Sequence, residues 1–477
     1  MLRQVGTVAA KRWSGPPTTI ETGFDMTLTD DRLAQPDDTT GTAAVELTAT
    51  STVPLLLTAL PGPKGQAVID ADQRVTSPSL TRVYPLVVER ACGCVIEDVD
   101  GNRFLDFNAG IAVVAAGHAH PEVNAAVHAQ VDQTLHYCSS DFYLPAHAAV
   151  CTRLARLAPM ADARVFLSNS GTEAVEAALK LSRHYTRRPN VIAFFGAFHG
   201  RSLGSLSLTA SKARQRAGFG IPAPGSFHAP YWDPYDADAL TGADYIRRVL
   251  FTKMTDPGDV AAIFVEPIQG EGGYIVPPAE WLQALRELCD EHGIVLVMDE
   301  VQTGVGRTGT MWACEQSGVV PDIMTIGKGL ASGLPLAGII TRGELMNWEP
   351  GGHGSTFGGN PVACAAADVT LRLVEDGLAA NATAVGDHLR QRLTALAGEQ
   401  PLIGQVRGRG LMIGIDLPDH DTAEALERAC FERGLLILTC GERSVRMMPP
   451  LVVTKEQADI AVDIVADALA SLNGDRS

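Results

Sequence analysis

Residues 293–333, GIVLVMDEVQTGVGRTGTMWACEQSGVVPDIMTIGKGLASG, decide how this chain folds. Two short apolar runs, IVLVMDE and DIMTIGKG, lie between glycines and a proline, and each ends on a polar residue: Asp299 in the first, Lys328 in the second. Runs of that length without polar alternation read as strands buried on both faces. Outward from them the same pattern recurs in ARVFLSN (163–169), NVIAFFGAFHG (190–200) and AAIFVEPIQG (261–270), with helical spacing between, as in WLQALRELCDEHG (281–293). Apolar strands alternating with helices predict an α/β fold with a mostly parallel central sheet covered on both faces. In such sheets ligands gather beyond the carboxyl ends of the strands. Ser170, Phe198 with His199, Glu266, Asp299 and Lys328 each follow an apolar run, so the sheet should bring them together.

The flanks differ. Residues 1–58 are rich in Thr, Pro, Asp and Ala and lack periodicity, and are expected to form a mobile extension; Arg3, Lys11 and Arg12 give its start a faint transit-peptide character. PLVVERACGCVIEDVDGNRFLDF (85–107) predicts a small sheet with a turn at Asp100-Gly101. From about residue 375, helices (NATAVGDHLRQRLTALAG, TKEQADIAVDIVADALASL) mix with strands (GLMIGIDL, LLILTC, SVRMMPPL), as in a smaller α+β domain.

Composition removes several functions. The net charge of −17 leaves no basic footprint for nucleic acid or an anionic membrane. No run reaches the ~20 apolar residues of a membrane span. The nine cysteines are scattered and odd in number, which favours a reducing cytoplasm over a disulfide scaffold. Cys92 and Cys94 have no second pair at zinc spacing, and no metal is expected there or at His118 and His120.

The motifs carry the chemistry. A lysine after an apolar strand can lose its proton readily and serve as a Schiff-base nucleophile; Asp299 offers the carboxylate that holds a pyridine nitrogen protonated. NSGTEAVEAALK opens a helix directly after a strand. Ser170 and Glu173 have capping-box spacing, Gly171 permits close approach, Thr172 adds a hydroxyl, and such a helix start attracts phosphate; capping alone also explains the spacing. The GKG around Lys328 breaks the nucleotide-binding P-loop pattern. Phe198 and His199 can cover a planar ring, and Arg201 supplies a cation. Glu266 and Glu271 sit in FVEPIQGEGG, Gln302 lies just after Asp299, and Thr356 in HGSTFGGNP is free to donate to a phosphate. Arg446, alone in an apolar strand, needs an anion.

NSGTEA, FHGR, EPIQGEGG, MDEVQTGVGRTG, IGKGL, STFGGNP and VRMMPPL come in the order and approximate spacing of the class-III pyridoxal-phosphate aminotransferases, which the chain resembles from about residue 75 to 470. The resemblance implies a fold-type-I transferase and a homodimer with shared active sites. It places a large cofactor-binding domain over residues 121–374 and a smaller domain built from both chain ends, 59–120 and 375–477. It implies that Lys328 forms the Schiff base and moves the substrate proton, and that Asp299 pairs with the ring nitrogen. Ser170, Gly171 and Thr172 would hold the phosphate with Thr356 of the partner subunit. Phe198 would stack on the ring and Gln302 touch its phenolic oxygen, with His199, Glu266 and Val301 in the same pocket. Arg446 would take the α-carboxylate of glutamate or 2-oxoglutarate, Glu271 would cover Arg446 when that carboxylate is missing, and Arg201 would bind the distal carboxylate. The chain is most similar to the 4-aminobutyrate branch, partly because Ile111 stands where ornithine enzymes tend to carry Tyr. Ornithine and acetylornithine aminotransferases and a racemase branch, which carries Asp at the Glu271 position, remain alternatives.

Overall fold

The computed structural model describes residues 47–474 apart from 221, 222 and 224, so the expected extension lies outside the described residues as far as residue 46. Its last residues are held in place, contrary to the expectation of mobility up to residue 58. Leu55 bridges Arg103, and the buried Asn102 accepts from the amides of Leu57 and Thr58 at 2.7 and 3.0 Å.

Strands β1 (Val88–Cys92), β2 (Val95–Asp98) and β3 (Arg103–Asp106) form an antiparallel ribbon. Its second turn needs φ of 89° at Gly101, a conformation that glycine adopts at no steric cost.

The large sheet comprises β4 (Ala163–Ser168), β5 (Asn190–Phe194), β6 (Ser226–Ala229), β7 (Val260–Val265), β8 (Val295–Asp299), β9 (Ile323–Ile326) and β10 (Ala337–Arg342), in the order β4-β10-β9-β8-β7-β5-β6. All are parallel except β10, which runs antiparallel between β4 and β9. Every residue of β7, β8 and β9 is buried, which is why these strands are written without polar alternation. Side chains alternate between two cores. Val295 and Val297 face the helix Gly171–Thr186 with its Ala174, Val175, Ala178 and Leu181, whereas Leu296 and Met298 face the helix Ala279–His292 with its Leu282, Leu285 and Leu288. Leu285 is fully buried, so truncating it to Ala should cost about 2–5 kcal/mol. The first helix starts in a complete capping box at Ser170 and Glu173; the second ends on Gly293 in the left-handed conformation.

The last part of the chain supplies β11 (Val406–Arg409), β12 (Met412–Asp416), β13 (Leu435–Leu436), β14 (Leu438–Cys440) and β15 (Ser444–Met447). Four of them make an antiparallel sheet, β11-β12-β15-β14, while β13 pairs in parallel with β3. Both chain ends thus build the smaller layer beside the large sheet. Among the described residues no helix is long and apolar enough to cross a membrane.

Candidate active site

Beyond the carboxyl ends of β7, β8 and β9 the polar residues converge. Asp299, the last residue of β8, is almost fully buried; its Oδ2 pairs with His199 Nδ1 at 2.7 Å, and its Oδ1 accepts from Thr325 Oγ1 at 2.9 Å and the Val301 amide at 3.1 Å. Burial alone would raise this carboxyl. The hydrogen bond and charge of His199, with the Val301 and Thr325 donors, outweigh burial and hold it below its ordinary value, so it stays ionised.

Lys328 follows β9 in a left-handed conformation, φ 43°, sparsely populated by non-glycine residues and common at functional sites. Burial drives its amine down to about 8; Asp299 pulls it up, Arg446 pushes it lower, and Glu266 and Glu271 pull it up again. These four groups are therefore its electrostatic neighbours. Glu266 is pushed well above its ordinary value by burial and then by Asp299, against the pull of Lys328 and the Gly270 amide. His199 Nε2 and Glu266 Oε2 are buried polar atoms without a protein partner among the described residues, as a site awaiting ligand groups requires.

At the start of helix Gly171–Thr186 the capping box uses the amides of Ser170 and Glu173, leaving those of Gly171 and Thr172 without acceptors inside the helix. A Cβ on Gly171 would lie 2.9 Å from Val301 Cγ1, and one on Gly327 would lie 3.5 Å from the same methyl, so Val301 wedges the helix start against the Lys328 turn. The Thr172 hydroxyl faces elsewhere, bonded to Ser202 and Ser205 at 2.6 Å each; its amide, not its side chain, is the group available to an anion. Thr356 lies exposed on a loop tied to Ser140 and Asn169 through Ser355. Phe198 is half-buried with the Arg201 guanidinium 5.8 Å from its ring centre, and Arg201 itself is exposed.

On the other side, Arg446 on β15 is buried and its Nη2 meets Glu271 Oε2 at 2.9 Å. Glu271 Oε1 simultaneously meets Lys212 Nζ at 3.0 Å. Burial would raise Glu271, but Arg446 and Lys212 together hold it below its ordinary value. Two more neighbours escape sequence reasoning. Lys212, at the end of SLTASK, resembles any polar residue closing a helix, and its partner comes from another part of the chain. Tyr274 donates to Gln302 Oε1 at 2.9 Å and so orients that amide; nothing local marks it.

Ile111 sits in a left-handed turn, Ala109–Ala112, whose φ values are 49°, 63°, 69° and 60°. Asp106 holds this turn: Oδ1 accepts from the amides of Asn108 and Ala109, and Oδ2 pairs with His118 at 2.8 Å. Next to it, the Ala116 amide donates to Ser332 Oγ, just past Lys328.

Residues 76–469 match the family model "Aminotransferase class-III". The chain belongs to the class-III aminotransferase family. This aminotransferase is 41% identical over 440 residues to the 4-aminobutyrate aminotransferase of Mycobacterium tuberculosis strain H37Rv, covering 87% of this chain and 98% of that one. It is 38% identical over 438 residues to an alanine/serine racemase of Pyrococcus horikoshii, covering 87% and 92%. Among solved structures, the ornithine aminotransferase of Toxoplasma gondii matches with a TM-score of 0.78 and 32% identity over 86% of this chain and 95% of that one. The aminotransferase fold and its dependence on pyridoxal phosphate follow from these matches. The site fits that cofactor: a readily deprotonated amine, an ionised carboxylate across from it, and free amides at a helix start are the groups its aldehyde, ring nitrogen and phosphate require. The family transfers an amino group from a donor to a 2-oxo acid.

Proposed function

We propose that this aminotransferase moves the amino group of an ω-amino acid, 4-aminobutyrate first among them, to 2-oxoglutarate in a two-stage cycle. The observation that carries the reading is the buried Glu271–Arg446 pair at 2.9 Å. Bound pyridoxal phosphate supplies the sink for the charge released at the substrate carbon. Asp299 keeps the ring nitrogen cationic, the amides of Gly171 and Thr172 with the Ser170 cap hold the phosphate, Phe198 and Val301 flank the ring, and Gln302, aimed by Tyr274, reaches its phenolic oxygen. His199 orients Asp299, and Glu266 leaves its Oε2 free to meet a ligand group. Lys328 Nζ takes up and returns the proton of the carbon that bears the amine.

Arg201 binds the distal carboxylate of either substrate. With 4-aminobutyrate, Glu271 stays on Arg446 and hides its charge; with glutamate, the α-carboxylate displaces Glu271, which keeps Lys212 as its partner. Ile111 offers an aliphatic chain an apolar contact and an ornithine α-amino group nothing.

A racemase is the second reading, favoured by the 38% identity to an alanine/serine racemase. Against it, a carboxylate shared by two cations is a poor base for the opposite face of the ring. The reading includes a homodimer in which Thr356 of the partner subunit completes the phosphate site. It is supported by the exposed Leu135, Tyr137, Phe142, Tyr143 and Phe357 beside that loop. A cytoplasmic location is supported by nine cysteines, all unpaired.

The test is a donor screen by single half-reaction. 4-Aminobutyrate should convert the lysine-bound cofactor to its amine form, and 2-oxoglutarate should restore it with release of glutamate. Inversion of an α-amino acid with solvent deuterium incorporation and no oxo acid would replace this reading with the racemase.

A further inference from the structure

The Glu271 turn is closed by its own bonds, from the Gly273 and Tyr274 amides to Gly270 O and across the Gln269–Ile275 bridge, but these do not fix its placement over Arg446. It spans Gly270–Tyr274 after β7, and its backbone is left-handed at Gly273 (φ 124°) and at Tyr274 (φ 55°), an unfavourable conformation for a tyrosine. What it rests on is the sheet that carries Arg446. Arg407 on β11 pairs with Gly414 on β12, and Gly414 pairs with Arg446 on β15, so the three stand in one row across neighbouring strands. Side chains in such a row share a face. The middle position is empty of side chain: a Cβ on Gly414 would lie 3.0 Å from Tyr274 Cβ and 3.5 Å from Gly273 O. The turn lies over this gap between two arginines.

Each arginine takes a different part of it. Arg446 holds the Glu271 carboxylate. Arg407, also largely buried, donates through Nη2 to Gly273 O at 2.6 Å and through Nε to Gly273 O and Tyr274 O at 3.1 and 3.2 Å. Arg407 is fixed in turn by an ion pair with the buried Asp416 and by Ser444 Oγ at 3.1 Å. Ser444 donates to Asp416 Oδ1 at 2.6 Å and opens the strand that carries Arg446. One cluster thus anchors both halves of the pair, and the Gly441 amide adds a bond to Glu271 O at 2.8 Å.

We propose that Arg407, seated across Gly414 from Arg446, is a positioning residue that holds the Glu271 turn over Arg446 and thereby sets how well the enzyme uses donors lacking an α-carboxylate. The inference rests on the switching role given above to Glu271 and Arg446. Without Arg407 the turn drifts and Arg446 is left uncovered. A 4-aminobutyrate complex then contains a buried, unpaired cation, whereas glutamate covers Arg446 itself and has no pair to open.

The test uses the cofactor-loaded enzyme and the variants Arg407→Met, Arg407→Lys and Gly414→Ala, the last lifting the turn without touching either arginine. Single-turnover efficiency with 4-aminobutyrate relative to glutamate should fall roughly tenfold, the worth of one charged hydrogen bond. In a Glu271→Gln background the same substitutions should change that ratio little. An equal loss with both donors, or an undiminished effect in the Glu271→Gln background, overturns the proposal. Wild-type enzyme inert towards both donors would instead overturn the substrate assignment. In that case the crystal structure of Arg407→Met or Gly414→Ala still decides, since an unmoved turn with the Glu271–Arg446 contact intact refutes the positioning role.

Discussion

Replacing Lys328 with Met should stabilise the cofactor-free protein near neutral pH, and the gain should disappear in alkali. The amine is lowered by burial from 10.5 to about 8, whereas in the unfolded chain it has its ordinary value. Each unit of such a difference is worth ~1.4 kcal/mol, so an ammonium at this position opposes folding by up to roughly 3 kcal/mol at pH 7. The side chain is not wholly covered, which makes this the upper end. The sign follows from proton counting. Between pH 8 and 10.5 the unfolded chain holds a proton that the folded chain lacks, so wild-type stability rises with pH through that window while that of Lys328→Met does not. The assay is urea unfolding of both cofactor-free proteins at several pH values from neutral to strongly alkaline. A gap that is flat with pH, or a wild type more stable than the variant at pH 7, would refute the idea of a desolvated amine.

Three further outcomes are expected. Asp299→Asn removes the ionised partner held by His199, Thr325 and Val301, and should lower transamination at least a hundredfold, roughly the loss of one preorganised electrostatic contact, with saturating cofactor; activity within a few-fold of wild type would contradict the role. Gly171→Ala puts a methyl 2.9 Å from Val301 Cγ1 and should weaken cofactor affinity about tenfold in equilibrium titration, because the wedge between helix start and lysine turn must shift. Ile111→Gly should raise stability by about 1 kcal/mol through relief of the left-handed conformation while costing discrimination between 4-aminobutyrate and ornithine; a lower melting temperature would show that the turn is unstrained.

Much of this molecule can be read from its strand ends. Asp299, Lys328 and Glu266 are legible because an apolar run delivers each to one edge of the sheet, and the capping box at Ser170 because its spacing is local. The antiparallel β10 is not legible, since AGIITR has the same composition as its parallel neighbours and only register against β4 and β9 fixes its direction. The turn at Ile111 is opposite to what Ala-Gly-Ile-Ala prefers on its own; Asp106 caps its start and is itself held by His118, twelve residues on, so the segment's own propensity does not announce it. Lys212, Tyr274 and Arg407 act through partners from other segments, so no window of sequence contains both members. The hydroxyl of Thr172 illustrates the converse: its place in the motif is plain, but Ser202 and Ser205 decide where it points.

The parallel pairing of β13 with β3 has a consequence for how the protein is made. The large sheet draws all its strands from between Ala163 and Arg342 and can close while the remainder is still on the ribosome. The N-terminal ribbon, by contrast, is synthesised first and completed almost last, when Leu435 and Leu436 reach its open edge. Until then that edge needs a guard, and a truncated product ending before β13 should retain its large sheet while aggregating through the uncovered side of β3.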